Sequence, residues 1–368
     1  MRFRFLYKKI CRPIFFLFDP EFVHDTFVLL GEFLGKYKIS RFLVKKLFAF
    51  CDQSLSQEIW GMKFKNPVGL AAGFDKDARM TSIMESVGFG FSEVGTATLG
   101  SYPGNPKPRL KRLLKSKGLL VYYGLKNMGA NKISLNIKKS ASLIPKIISI
   151  GRTNSKDTLS LENGIKDYTE CLKVFEASRF KGAYEINISC PNVFGGADDF
   201  LVPKNLSPLL KNIFDLKPKN PVFVKMPINL SWEDFKALLD TIMLFPVSAV
   251  VIGNLNKNKN SSEIKDELSS DARGGVSGSP TKNLSNELIS KTYAYCGKRL
   301  KIIGVGGIST AEDAYDKIRR GASLVELITG LIFEGPQLVG EINKDITTFL
   351  KRDGFKNVSE AVGVSAKS

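Results

Sequence analysis

The chain of 368 residues contains one histidine, His24, close to its start. A catalytic triad built on a central histidine is thereby excluded from the remainder of the chain. Cysteine is also scarce: Cys11, Cys51, Cys171, Cys190 and Cys296 form an odd set without Cys-x-x-Cys spacing. A disulfide framework and a structural zinc site are excluded on that count, no metal is expected, and a reducing compartment fits best. No uninterrupted apolar run in the N-terminal region reaches the roughly 18 residues that a membrane-spanning helix needs. No small-residue cleavage site follows a single apolar core there, so a secretory signal is not expected. Acidic residues are outnumbered, 36 against 54 Lys and Arg, giving a formal charge of +18.

That charge fits a nucleic-acid binder, a protein resting on anionic lipid, or a general lysine-rich bias. Lysines run along the whole chain, and the last reading accounts for much of the excess. The first fifty residues differ, with ten Lys/Arg against four Asp/Glu interleaved with Phe15-Phe16-Leu17-Phe18, Phe27-Val28-Leu29-Leu30 and Phe33-Leu34. Basic and aromatic residues on short helices fit a segment lying on a membrane face; an ordinary helical cap on the main domain is the alternative. Residues 1–55 read as two short helices, the second opened by Asp19-Pro20-Glu21.

From Asn66 onward short apolar strands alternate with helical stretches. Eight candidates stand out: Val68–Ala71, Phe91–Val94, Lys146–Ile150, Tyr184–Ile188, Val222–Lys225, Ala249–Ile252, Lys301–Val305 and Leu324–Ile328. Strand–helix alternation implies a parallel sheet, and eight units over residues 56–368 fit an α/β fold of the closed (β/α)8 TIM-barrel type, preceded by the helical segment 1–55. The polar stretch Asn256–Asp271 reads as a mobile loop after the sixth strand.

Barrel enzymes keep their chemistry at strand exits. Here those exits carry Ala72, Gly73 and Lys76, then Thr96, then Asn187, Cys190 and Asn192, then Lys225, Asn254, Gly306-Gly307 and Thr329-Gly330. Cys190 sits between amides and before Pro191, where a thiol can serve as a base, although a small buried hydrophobe is its plainer reading. The turn Gly304–Gly307, with Thr329-Gly330 and Gly274–Gly278, offers backbone N–H groups to a phosphate.

These residues resemble the FMN-dependent dihydroorotate dehydrogenases, most of all the membrane-associated, quinone-linked class. The resemblance rests on Phe64–Asp77 with its Asn66-Pro67-Val68-Gly69-Leu70-Ala71-Ala72-Gly73-Phe74-Asp75-Lys76 core, on Pro103–Leu110, on Gly274–Gly278, on Ile302–Ile308, and on the ending Gly354-Phe355 with Glu360–Gly363. It implies oxidation of dihydroorotate to orotate in pyrimidine biosynthesis. FMN would be held by Ala72, Gly73, Thr96, Asn187, Lys225, Gly278, Gly306, Gly307, Thr329 and Gly330. The substrate would be held by Lys76, Asn187, Asn192 and Asn254, with Cys190 as the base. It further implies a membrane quinone approaching past His24 and Arg112, peripheral contact with an anionic membrane surface on the cytoplasmic face of the cell membrane, and no nucleic acid. Four positions depart from the family pattern. Cys190 stands where quinone-linked members usually carry serine, Val121 replaces a substrate-binding asparagine, Ser149 a flavin-side asparagine, and Ile328 a tyrosine. They leave open fumarate or NAD as acceptor, or a diverged FMN barrel similar to tRNA dihydrouridine synthases.

Overall fold

The computed structural model describes residues 2–193 and 198–366. Eight parallel strands close into a barrel: β1 (Val68–Leu70), β2 (Phe91–Ala97), β3 (Lys146–Ile150), β4 (Ala183–Asn187), β5 (Val222–Met226), β6 (Ala249–Ile252), β7 (Lys301–Val305) and β8 (Leu324–Leu327). Each pairs with its neighbours in chain order, and β8 closes on β1 through Val325 beside Val68. All eight expected strands are present, displaced by one to three residues at several ends.

Alternation along each strand sorts side chains into two environments. Outward residues such as Val94, Ile148, Ile186, Val224, Val250 and Val325 pack with the surrounding helices in the main core. Inward residues stack in layers. The lower interior is apolar: Phe91, Ile147, Ala183, Phe223, Ala249 and Leu324, with Val251 and Ile303 above them in register with Lys225. A two-stranded hairpin, Gln57–Ile59 with Met62–Phe64, plugs that end and sets Trp60 4.4 Å from the Phe223 ring. Gly69 admits the Phe91 ring, which a Cβ would meet at 2.2 Å. Two residues further along their strands, Glu93, Ser149, Glu185, Lys225 and Glu326 form a buried polar layer under the barrel mouth.

One expectation is corrected. The N-terminal segment contains three helical stretches, not two. The first is helical from Arg2 to Phe16, with a π-helical turn over Tyr7–Cys11; α1 (Pro20–Lys36) and α2 (Lys38–Phe48) follow. Asp19 caps α1 as its sequence implied, its carboxylate accepting the Phe22 N–H at 2.9 Å. Extended backbone at Tyr37 then separates α1 from α2, and Ser40 Oγ closes the corner by donating to the Leu34 and Tyr37 carbonyls. The stretch Asn256–Asp271 contains no regular element, as expected of a loop after β6, and it is anchored at a few points. Ile264 and Leu268 pack on Leu113, Leu120 and Val276, and Asp266 accepts the Lys115 and Ser116 N–H groups.

Ion pairs fasten the N-terminal helices to the barrel. Glu334 receives Arg4 and Lys8 at 2.9 and 2.6 Å, and buried Glu21 receives Arg109 and Lys126 at 2.8 and 3.0 Å. Burial would raise the Glu21 carboxyl, but these two cations outweigh it and hold the group below its ordinary value.

Candidate active site

A cavity of about 450 Å³ begins between the N-terminal helices and ends on the polar strand exits. One wall is a three-stranded antiparallel sheet, Gly275–Gly278, Gly118–Val121 and Leu110–Leu113. Every site residue expected from the sequence lines this one space: Cys190; Lys76, Asn187, Asn192 and Asn254; Ala72, Gly73, Thr96, Lys225, Gly278, Gly306, Gly307, Thr329 and Gly330; His24 and Arg112. Strands β1 to β8 bring the strand-exit residues together from positions up to about 260 residues apart in the chain, while His24 and Arg112 come from the helix Pro20–Lys36 and the antiparallel sheet.

The floor is electrostatic. Lys225 Nζ lies 3.2 Å from Glu93 and 3.3 Å from Glu185. Burial would strip the ammonium of its proton, but the carboxyl groups of Glu185, Glu93 and Glu326 outweigh it and hold Lys225 charged. One ammonium cannot neutralise three carboxylates in a dry layer. Burial pushes Glu185 and Glu326 well above the ordinary carboxylate range, and the Glu93 charge adds to the push. Glu93 itself stays low: burial opposes its charge, but Lys225 prevails. Glu93 also accepts the Ala72 N–H at 2.9 Å, which fixes the turn after β1.

Above this layer the amides are oriented by neighbours. Asn187 Nδ2 donates to Thr96 Oγ1 at 2.8 Å, and its Oδ1 accepts from the Ser189 N–H and hydroxyl. Asn254 Nδ2 donates to the Ser189 carbonyl and Oγ. Asn192 Nδ2 donates to the backbone carbonyl of Val121 at 2.9 Å. Val121 therefore takes part through its main chain, although its side chain cannot hydrogen-bond. Ser149 bridges inward instead, meeting Thr96 Oγ1 at 2.8 Å and donating to Glu185 at 2.6 Å.

The reactive groups have distinct settings. Burial pushes the Cys190 thiol up to about 11. Burial pulls the Lys76 ammonium down to about 8, where it lies over the Tyr123 ring at 4.4 Å and 3.4 Å from His24 Nε2. His24 Nε2 also meets the Phe74 carbonyl at 2.9 Å. Burial, reinforced by the Lys76 charge, lowers the imidazole and favours its neutral form. Arg112 holds the first helix through the Phe15, Phe16 and Phe18 carbonyls and stacks 4.6 Å over the Phe16 ring, so it shapes the apolar end of the cavity.

Three participants were not singled out from the sequence. Glu93 and Glu326 are charges interrupting buried strands at inward positions, and that interruption was their signal. Tyr123 carried none; its buried hydroxyl lines the cavity without a protein partner among the described residues.

The residues present fit a flavin mononucleotide. Gly306 and Gly307 take positive φ, at +106° and +70°, and turn their backbone along the cavity wall. Their N–H groups meet no backbone acceptor among the described residues. A Cβ on either would strike Thr281 or Lys282 at 2.5 or 2.4 Å, so that turn is reserved for glycine. Such a turn suits a phosphate, and the Lys225 layer suits a polar ring.

Residues 54–350 match the family model described as dihydroorotate dehydrogenase. The dihydroorotate dehydrogenase (quinone) of Trichodesmium erythraeum is 34% identical, over 98% of this chain and 99% of that one. That of Corynebacterium glutamicum is 34% identical over 95% and 93%. Among solved structures, DHODH from Eimeria tenella in complex with ferulenol superposes with a TM-score of 0.85 at 28% identity, covering 95% of this chain and 96% of that one.

Proposed function

We propose that this chain, which belongs to the dihydroorotate dehydrogenase family, oxidises dihydroorotate to orotate and passes the electrons to a membrane quinone by the following division of labour. The observation that carries it is the continuity of one cavity from apolar helices to polar strand exits. FMN, when bound, supplies the hydride acceptor. Ala72, Gly73, Thr96, Lys225 and Gly278 hold its ring end, and Gly306, Gly307, Thr329 and Gly330 hold its phosphate. Lys76, Asn187, Asn192 and Asn254 orient the substrate ring and its carboxylate. The substrate loses a proton from C5 and a hydride from C6, and Cys190 Sγ receives the proton. Lys225, held between Glu93 and Glu185 at 3.2 and 3.3 Å, keeps a fixed positive charge under the mouth.

The quinone approaches between the helices, past Phe15, Phe16, Val23 and Phe27, to His24 and Arg112. No described helix is long and apolar enough to cross a membrane. The outer face nonetheless exposes Leu17, Ile39, Leu47 and Phe5 at 84, 76, 67 and 65%, among Lys36, Lys38, Lys45 and Lys46. Exposed apolar side chains interleaved with lysines along these helices suit an interfacial segment on anionic lipid. The segment 1–55 is accordingly the quinone-access unit, resting on the cytoplasmic face of the cell membrane, and 56–368 the flavin barrel.

The test is an anaerobic visible-absorbance titration of the purified FMN-loaded protein, first with dihydroorotate and then with a quinone. The flavin colour is expected to bleach and then to return. A flavin that stays yellow with dihydroorotate removes the substrate assignment. Colour restored by fumarate or NAD but not by quinone would replace the acceptor.

A further inference from the structure

The glycine turn after β7 carries no charged side chain, yet a buried ammonium stands directly behind it. Lys317, on the helix Ala311–Arg319, is fully buried. Its stem packs against Gly304, where an added Cβ would meet Lys317 Cδ at 3.4 Å. Its Nζ donates to Asn286 Oδ1 at 2.7 Å and to Ser285 Oγ at 3.0 Å. Ser285 in turn donates to the backbone carbonyl of Val305, the residue that leads into Gly306-Gly307. One neutral hydroxyl therefore links the ammonium to the turn.

The charges around Lys317 pair off without it. Lys282 holds Asp313, and Arg320 holds Asp316 with help from Asn286. Two cations thus cancel two carboxylates, and among the described residues no carboxylate comes within ion-pair distance of Lys317. The strand Lys301–Val305 and the helix Lys282–Cys296 present Gly304, Ser285 and Asn286 to it, all neutral. Burial pulls the ammonium down to about 7; Asp316 and Asp313 offset this only in part, while Lys282 and Arg320 add to the pull. An unpaired charge in a dry wall weighs against the fold, and an anion on the cavity side of the turn offsets that cost.

We propose that Lys317 is a positioning residue for the flavin phosphate: through Ser285 and the Val305 carbonyl it holds the Gly306-Gly307 turn, and its unpaired charge favours a dianion seated there. The selectivity it confers is for a phosphorylated ligand over the same ring system without phosphate. The inference rests on the reading of this cavity as an FMN site, and adds to it a charge from behind the cavity wall. A phosphate on the turn favours the charged form of Lys317. Below about pH 7 that charge is already present; above it, phosphate binding must draw the proton from solvent, so the advantage shrinks as pH rises.

The experiment incubates the FMN-loaded full-length protein with mixtures of FMN and riboflavin, and measures the ratio retained after gel filtration. Serial dilution with flavin fluorescence gives the FMN affinity itself. Wild type is expected to prefer FMN, and the preference to fall about tenfold from about pH 7 to about pH 9.5. Lys317→Met keeps the stem and removes the charge. It is expected to weaken FMN about tenfold at about pH 7, to leave riboflavin within about twofold, and to show a preference that no longer falls with pH. Lys76, which titrates in the same range, sits at the substrate end common to both ligands and drops out of their ratio. Equal loss of both flavins in Lys317→Met would mean a merely structural role and overturn the proposal, as would FMN affinity equal to wild type. So would a wild-type preference that does not fall with pH, a result that needs no variant to fold. Wild type that retains neither flavin removes the FMN reading itself.

Discussion

Cys190 is held as a thiol with a value of about 11, raised by burial. At about pH 8 only roughly one protein in a thousand then carries the thiolate, the form able to take a proton from carbon. Since each pH unit below that value changes the thiolate fraction tenfold, the rate of flavin reduction by dihydroorotate is expected to rise about tenfold per unit from about pH 7 to about pH 9.5. The sign is definite: the deprotonated form is active, so activity is gained as pH rises. Cys190→Ser substitutes a group harder still to deprotonate, so its rate falls and its rise moves to higher pH. Cys190→Ala removes the base, and the reductive half-reaction is expected to drop by about 10² to 10⁴ with FMN still bound. Stopped-flow bleaching of the flavin under anaerobic conditions, one turnover at a time across the pH range, reads all three. A flat profile in wild type, or a Cys190→Ala variant that bleaches at the wild-type rate, would refute the assignment of the base.

Further outcomes follow from the barrel layers and the helical segment. Glu326 is kept protonated by burial and by ionised Glu93, whereas in the unfolded chain a glutamate ionises near about 4.3. The fold therefore binds the extra proton above that pH, and stability drains away as pH rises towards the folded value. Glu326→Gln has no proton to lose and is predicted to gain thermal stability over wild type at about pH 8 relative to about pH 5; equal differences at both would contradict this. Phe223→Ala empties a fully buried position against Trp60 and is expected to cost about 3–5 kcal/mol in denaturant unfolding. Arg112→Ala frees the end of the first helix, so KM for quinone should rise while single-turnover reduction by dihydroorotate is unchanged.

The strands and the mouth were legible because both leave marks in a single sequence. Inward positions of a barrel alternate with outward ones, and residues such as Lys225 and Gly306-Gly307 break an apolar run at its exit, where only a site tolerates them. The chain through Ser149 was not legible, because it depends on neighbours that only barrel closure creates: Thr96, Ser149 and Glu185 come from three strands. The seat of the loop Asn256–Asp271 was hidden for a related reason. Its composition is that of a solvated loop, but Ile264 and Leu268 are enough to seat it once Leu113, Leu120 and Val276 are assembled opposite. The break at Tyr37 hid because the apolar spacing continues across it, and only the Ser40 hydroxyl marks the corner.

The seam between the N-terminal helices and the barrel is closed by apolar packing of Val28, Leu34 and Val44 on the main core and by ion pairs, Glu334 with Arg4 and Lys8, and Glu21 with Arg109 and Lys126. Hydrocarbon on the outer side of the same helices is consequently left uncommitted to the protein. The two attachments answer to different variables. Salt screens the Arg4 and Lys8 pairs only in part, because their partner Glu334 is buried, and it leaves lipid insertion driven by apolar area largely intact. If the segment rests on a bilayer as proposed, it can do so without letting go of the barrel, and the barrel mouth then keeps its depth below the lipid surface when the membrane around it changes.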